Sequence, residues 1–272
     1  MRDLYLHTIG GTSFVLRAGL IAALLLGTLT AIAEATPIKI MPLGDSLTNG
    51  TGDKSGFRSK LYADLTAAGV PVDFVGSLST NSSAGLPDPD HEGHPGFNID
   101  NIANGWSSYP GVDTWLNPAV CDPDIILLLI GTNDVSERSY HDFTHAPDRL
   151  DSLISRISSK TSGLQPDAHM IVAKIPPRAD SGDESATQWY NTELVTIVQQ
   201  HIALGENISL VDMHTPLTVS DLSDGVHLTQ AGYDKVAGVW YDGIMAVIPE
   251  PCSLAIFCLG AGLIARGRRR RA

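Results

Sequence analysis

Asp124-Ile125-Ile126-Leu127-Leu128-Leu129-Ile130-Gly131-Thr132-Asn133-Asp134 is the stretch that decides the fold. Six apolar residues in a row, without polar alternation, require a strand covered on both faces, as in the middle of a parallel sheet. The Gly-Thr-Asn-Asp that follows is turn chemistry carrying polar side chains. Reading outward, further strands are expected at 38–43, 72–75, 169–175 and 208–211. Helical periodicity falls between them at 57–68, 147–160, 186–203 and 229–247, with one or two turns at 99–104 and Thr229 as an N-cap. Strands that alternate with helices predict one α/β domain, a three-layer α/β/α sandwich on a five-stranded parallel sheet. The Ser-, Asn-, Pro-, Asp- and Gly-rich stretch 77–96 reads as a surface excursion.

In such open sheets ligands bind beyond the carboxyl ends of the strands. Ser46 follows the first strand in Gly44-Asp45-Ser46, and Asn133 follows the central one. Asp224-Gly225-Val226-His227 later supplies a carboxylate and an imidazole three residues apart, at the start of the last helix. A serine hydroxyl is a weak nucleophile until a base takes its proton. His227 can be that base, and Asp224 can orient it and stabilise the imidazolium. A tetrahedral intermediate also needs donors aimed at its oxygen. Candidates are the Ser46 N–H, the Gly96 N–H in His94-Pro95-Gly96-Phe97, and the Asn133 side chain. The simpler alternative is that Ser46 and Asn133 only cap turns.

Four blocks in order, Gly44-Asp45-Ser46, Gly96, Gly131-Thr132-Asn133-Asp134 and Asp224-Gly225-Val226-His227, resemble the SGNH or GDSL-like hydrolases. That resemblance implies a flavodoxin-like SGNH fold, catalytic Ser46, Asp224 and His227, and an oxyanion hole of Ser46, Gly96 and Asn133. The spellings Ile40-Met41-Pro42-Leu43-Gly44-Asp45-Ser46, Gly56-Phe57-Arg58-Ser59-Lys60-Leu61, Val72-Asp73-Phe74-Val75-Gly76-Ser77 and His91-Glu92-Gly93-His94-Pro95-Gly96 look like carbohydrate esterase family 3. This implies deacetylation of a xylan-like polysaccharide or oligosaccharide. No cofactor and no catalytic metal are implied. Asp88, Asp90, His91, Glu92 and His94 form a cluster that a structural calcium could use. Trp106, Tyr109 and Trp115 are candidates for stacking on sugar rings, with Trp106 and Tyr109 kept as substrate-binding candidates, against the default of packing. Arg58 and Arg178 are expected in solvated or ion-paired surface positions.

Both chain ends read as addresses. Arg2 and Arg17, the apolar run 18–32 and the small-x-small Ala33-Glu34-Ala35 have the layout of a secretory signal peptide over 1–35. Pro249-Glu250-Pro251, the apolar stretch 252–265 and the arginines at 266 and 268–271 resemble a PEP-CTERM sorting signal over 249–272. That implies a transient C-terminal membrane helix, an exosortase-type processing partner, and a body outside the cytoplasm. The whole chain carries −12, but the tail holds +4 and residues 1–35 are neutral, so the body at 36–248 carries −16. Such a surface argues against nucleic acid as a partner and suits neutral substrates. Cys121 stands alone in that body, so no internal disulfide forms there. Two other functions fit the same sequence less directly: a lipid or aryl esterase of lysophospholipase or thioesterase type, and a non-catalytic glycan-binding surface protein.

Overall fold

The central apolar run forms a strand whose five residues are all buried, and every other strand is arranged around it. The computed structural model describes residues 36–50, 55–80, 86–117, 119, 121–136, 142–161 and 168–248. Both terminal segments read as processing signals, and their expected cleavage sites and membrane helix, lie outside the described residues. Among the described residues no helix is long and apolar enough to cross a membrane.

Among the described residues the strands are β1 (Ile38–Gly44), β2 (Val72–Phe74), β3 (Glu92–Gly93), β4 (Ile125–Leu129), β5 (His169–Lys174) and β6 (Ile208–Asp212). All pairings are parallel, in the order β2-β1-β4-β5-β6, with β3 held against the end of β1. Five of the six are the expected strands. β3 was missed because two residues carry no period, and it places Glu92 beside Leu43 and Gly93 beside Gly44.

The helices are α1 (Ser46–Asn49), α2 (Arg58–Ala67), α3 (Ile99–Asn104), α4 (Val112–Trp115), α5 (Ala146–Thr161), α6 (Ser181–Ala203) and α7 (Gln230–Val247). α2 packs on α7, whereas α3, α5 and α6 pack in succession on one another. Right-handed crossovers put these two groups on opposite faces of the sheet, which gives the expected three layers. α6 begins five residues before the expected start. Its N-cap is Asp180, whose carboxylate accepts from the N–H groups of Gly182 and Asp183 at 2.9 and 3.0 Å. Thr229 caps α7 as expected, accepting from the Gly232 N–H.

The chain runs from β1 outward to β2 and then returns to β4 on the other side of β1. The loops leaving β1 and β4 therefore part at a topological switch point, where a crevice must open. At its floor the two strands come unusually close. A Cβ on Gly44 would lie 2.1 Å from the Leu129 carbonyl oxygen and 2.6 Å from Thr48 Oγ1. Gly44→Ala must push β1 away from β4, and overpacking of this kind costs about 1–3 kcal/mol or more. The expected result is a thermal midpoint lowered by about 5 °C, with measurable loss of secondary structure at the old midpoint. An unchanged melt would contradict the close approach.

Candidate active site

Asp45 is the hinge between strand and site. It N-caps α1, its Oδ1 accepting the Leu47 N–H at 2.8 Å. The cap turns the chain sharply at the strand end and leaves Ser46 at the crevice, half-buried, while Leu47, Thr48 and Asn49 are buried. Ser46 Oγ lies 3.0 Å from His227 Nε2. His227 Nδ1 lies 2.8 Å from Asp224 Oδ2. An ionised carboxylate only accepts, so Nδ1 carries the proton and Nε2 is left as an acceptor facing the Ser46 O–H.

Asp224 and His227 do not belong to the last helix. They lie in a turn ahead of α7, and backbone hydrogen bonds hold that turn. Asp224 Oδ1 accepts from the N–H groups of Val226 and His227 at 3.0 and 2.8 Å. Gly225 takes the left-handed conformation, φ 89°, and its carbonyl accepts from Ala179 N–H at 3.0 Å. The Asp224 carboxyl loses some solvation, which alone would raise its pKa. The hydrogen bonds from His227 and the Val226 N–H outweigh this and hold it at about 2.

The donors expected from the sequence, Gly96 and Asn133, lie on two further turns. His94-Pro95-Gly96-Phe97 closes with Phe97 N–H donating to the His94 carbonyl at 3.1 Å. Proline second and a glycine at φ 80° third make it a type II turn. Gly131-Thr132-Asn133-Asp134 is stapled to it twice. Asn133 Nδ2 donates to the Phe97 carbonyl at 2.7 Å, and Ile99 N–H donates to Asp134 Oδ2 at 3.0 Å. An amide carries two N–H groups, and Asn133 holds the turn with one of them. The Tyr190 ring presses on Gly131, where a Cβ would sit 2.5 Å away, and its hydroxyl donates to the Ile130 carbonyl at 3.0 Å.

A cleft of about 490 Å³ opens beside His227, lined by Asn133, Ser136, Arg178, Asp180, Asp183 and Asp224 among others. Trp106 and Tyr109 are exposed, as a sugar platform would be. They do not line this cleft. They bridge to each other and meet the Phe97 ring edge-on at 6.0 Å, so they flank the Gly96 turn instead. Trp115 is fully buried and packs, so it offers no face to a ligand.

The two arginines expected at the surface are buried, because backbone carbonyls need them. Arg178 donates to the Thr132 carbonyl at 3.2 Å and to Asp183 Oδ2 at 2.6 Å. It thereby braces the residue before Asn133. Arg58 donates to the carbonyls of Pro89, Asn49 and Thr80, tying the 77–96 excursion to α1, and burial lowers its pKa to about 10. Several side chains of the cluster in that excursion hold backbone or ring groups. Asp88 accepts the Phe74 N–H, Glu92 accepts the Ser77 N–H and faces His94, and His91 Nδ1 accepts the Gly93 N–H. Among the described residues no group of three or more His, Cys, Asp or Glu side chains is placed to hold a metal ion.

A Ser–His–Asp hydrogen-bond path at the carboxyl edge of a parallel sheet is the arrangement that serine-hydrolase chemistry requires. The sequence profile of the GDSL-like lipase/acylhydrolase family matches residues 43–235, and the chain belongs to that family. A multidomain esterase of Ruminococcus flavefaciens is 30% identical over 254 residues, which cover 84% of this chain and 32% of that protein. The chain thus spans about a third of this relative. Among solved structures, a family 3 carbohydrate esterase of Clostridium thermocellum superposes with a TM-score of 0.62 at 33% identity, covering 76% of this chain and 94% of the other. One from Talaromyces cellulolyticus reaches 0.63 at 27% identity, covering 77% and 97%.

Asp45 was not singled out in the sequence, although a residue between a strand and a short helix is a capping position. Burial is the main force on its carboxyl and pushes it up to about 7, with the Leu47 N–H and the charges of His227 and Arg178 pulling down. Its Oδ2 is buried with no hydrogen-bond partner among the described residues. Between the ordinary value of 3.8 and about 7 the folded chain keeps a proton that the unfolded chain has lost. Stability must therefore fall as pH rises through that window. Asp45→Asn keeps the cap and cannot titrate. Measured by urea unfolding, the stability of the wild type relative to this variant is expected to fall by about 2–4 kcal/mol between pH 4 and pH 7. Parallel curves would contradict the burial argument.

Proposed function

We propose that the chain is an exported serine esterase that removes acetyl groups from carbohydrate, a xylan-like polysaccharide or oligosaccharide. The observation that carries this reading is the unbroken path from Ser46 Oγ through His227 to Asp224, at 3.0 and 2.8 Å. In the proposed reaction Ser46 Oγ attacks the ester carbonyl carbon and passes its proton to His227 Nε2. The N–H groups of Ser46 and Gly96 and the second N–H of the Asn133 amide receive the oxyanion. His227 then gives the proton to the leaving sugar oxygen, and acetyl–Ser46 remains. Water, activated by the same imidazole, releases acetate and restores Ser46. Asp224 holds the Nδ1–H tautomer throughout.

The leaving oxygen must come within reach of His227 Nε2, so the leaving group lies on the side of the cleft beside it. Arg178, Asp180, Asp183 and Ser136 make that wall polar. A polyhydroxylated sugar can exchange its water for such groups, whereas a lipid chain cannot. The resemblance to the two family 3 carbohydrate esterases points the same way. Trp106 and Tyr109, exposed beside the Gly96 turn, are proposed to stack on a neighbouring sugar ring. The acidic body, −16 over residues 36–248, keeps nucleic acid off and leaves neutral polymers as partners. Export by residues 1–35 and sorting through an exosortase at residues 249–272 complete the proposal. No cofactor enters the proposed chemistry.

The purified protein is expected to hydrolyse p-nitrophenyl acetate and to release acetate from acetylated xylan, with little turnover of long acyl esters. Ser46→Ala should lower kcat by about 10³-fold or more. Full activity in Ser46→Ala, or no turnover of any ester by the wild type, would overturn the esterase reading. A preference for long acyl chains would instead support a lipid esterase.

A further inference from the structure

We infer that the buried Glu92–His94 pair is a positioning device for the Gly96 N–H. The inference rests on the esterase reading of the site. Both side chains are essentially without solvent exposure, and His94 Nε2 lies 2.8 Å from Glu92 Oε2. The other carboxylate oxygen accepts the Ser77 N–H, in the loop just beyond β2. The His94 ring is sandwiched between Phe97, at 4.7 Å and 19°, and Trp115, at 4.6 Å and 14°, with Tyr109 against its edge at 5.1 Å.

His94 is also the first residue of the type II turn that presents Gly96. Its own N–H donates to the Gly44 carbonyl at 2.8 Å, two residues before Ser46. The direction of the Gly96 N–H is set by the sense of the Pro95–Gly96 peptide, and that sense is what separates a type II turn from a type I turn. A position error of a few tenths of an ångström at an oxyanion donor is felt in the rate and hardly in substrate binding.

Stacking and hydrogen bonding do different work here. Two nearly parallel ring faces fix the plane of the imidazole but let it slide and rotate within that plane. The Nε2–Oε2 hydrogen bond gives the ring a directional hold within its own plane, beside the edge contact of Tyr109, and Glu92 is itself fixed by β3 and Ser77. A buried polar pair is an inefficient way to gain stability, since apolar residues of similar volume often serve as well. Its return in this place is geometric. It ties β2, β3 and the end of β1 to one peptide of the oxyanion turn.

The test compares an oxoester with its thionoester, in which sulfur replaces the carbonyl oxygen. Sulfur is a weak acceptor and draws little from an oxyanion hole. Glu92→Leu/His94→Phe removes both members of the pair together and keeps a ring in the sandwich, so no buried charge is left alone, and the Ser77 N–H is the one group that loses its acceptor. Its kcat on p-nitrophenyl acetate is expected to fall about tenfold with KM within about twofold, while the thionoacetate loses less than about twofold. The oxo/thiono ratio therefore falls about five- to tenfold. Glu92→Gln can keep both hydrogen bonds if His94 moves its proton to Nδ1, and is expected within about threefold of wild type. A folded double variant with an unchanged ratio overturns the inference, as does equal loss on both esters. Failure of the double variant to fold also overturns it, because the pair would then be a requirement of the fold. An inactive wild type would strike the esterase reading instead, and the two failures are told apart by that control.

Discussion

The parallel pairing of β1 with β4 is the contact on which the rest of the structure depends. Ser46 stands two residues past the end of one strand and Asn133 four residues past the end of the other. Because the strand order reverses between them, their loops diverge and no helix can fill the gap. Gly44 lets the backbones approach to a distance that a side chain would forbid. The register Gly44 to Leu129 then fixes how far the two loops lie from one another. The late turn at 224–227 needs only to be delivered to this gap, and the Ala179–Gly225 hydrogen bond delivers it.

Around that contact the molecule buries an unusual set of polar side chains: Asp45, Arg58, Glu92, His94, Asp134 and Arg178. They hold loop segments and the starts of short helices. Arg178 braces the Thr132 carbonyl, Asp134 accepts from Ile99, and Arg149 closes on Asp134 at 3.0 Å. Loops that must be irregular to present donors cannot satisfy their backbone groups on one another. Buried side chains take over that task. The Ser–His–Asp path itself is more open, with about half of the Asp224 side chain exposed. Rigidity is thus concentrated beneath the site, and access is left above it.

The layered fold was legible because its signal is periodic. The run 124–130, the helical spacing and Thr229 as a cap each carry a local physical meaning. Ser46, Asp224 and His227 could be paired in the sequence because chemistry restricts residue types and the strand ends restrict position, and the structure links them by hydrogen bonds. β3 and α1 were not legible, since two and four residues make no pattern. Arg58 and Arg178 were read as surface groups because composition speaks of solvent, and only the loop carbonyls reveal the demand for buried donors. Glu92 and His94 suggested metal ligation for the same reason. A carboxylate next to an imidazole can also pair with it, and the aromatic rings that stack on that imidazole, Phe97 and Trp115, lie up to 23 residues along the chain.

Gly44 and Gly96 show that two glycines near one serine can be required for unrelated reasons. At Gly44 the backbone is ordinary and the room is missing. At Gly96 the room is open, with nothing within 4 Å of where a Cβ would stand, and the sign of φ is the constraint. The first position selects by volume, so its tolerance narrows with every added atom. The second selects by handedness, and the torsional cost, roughly 1–2 kcal/mol, is nearly the same for alanine as for a much larger side chain. Asparagine and aspartate, whose short polar side chains can hydrogen-bond locally in the left-handed region, are replacements for which that cost shrinks. Variation around this serine is therefore governed by chirality on one side and by crowding on the other.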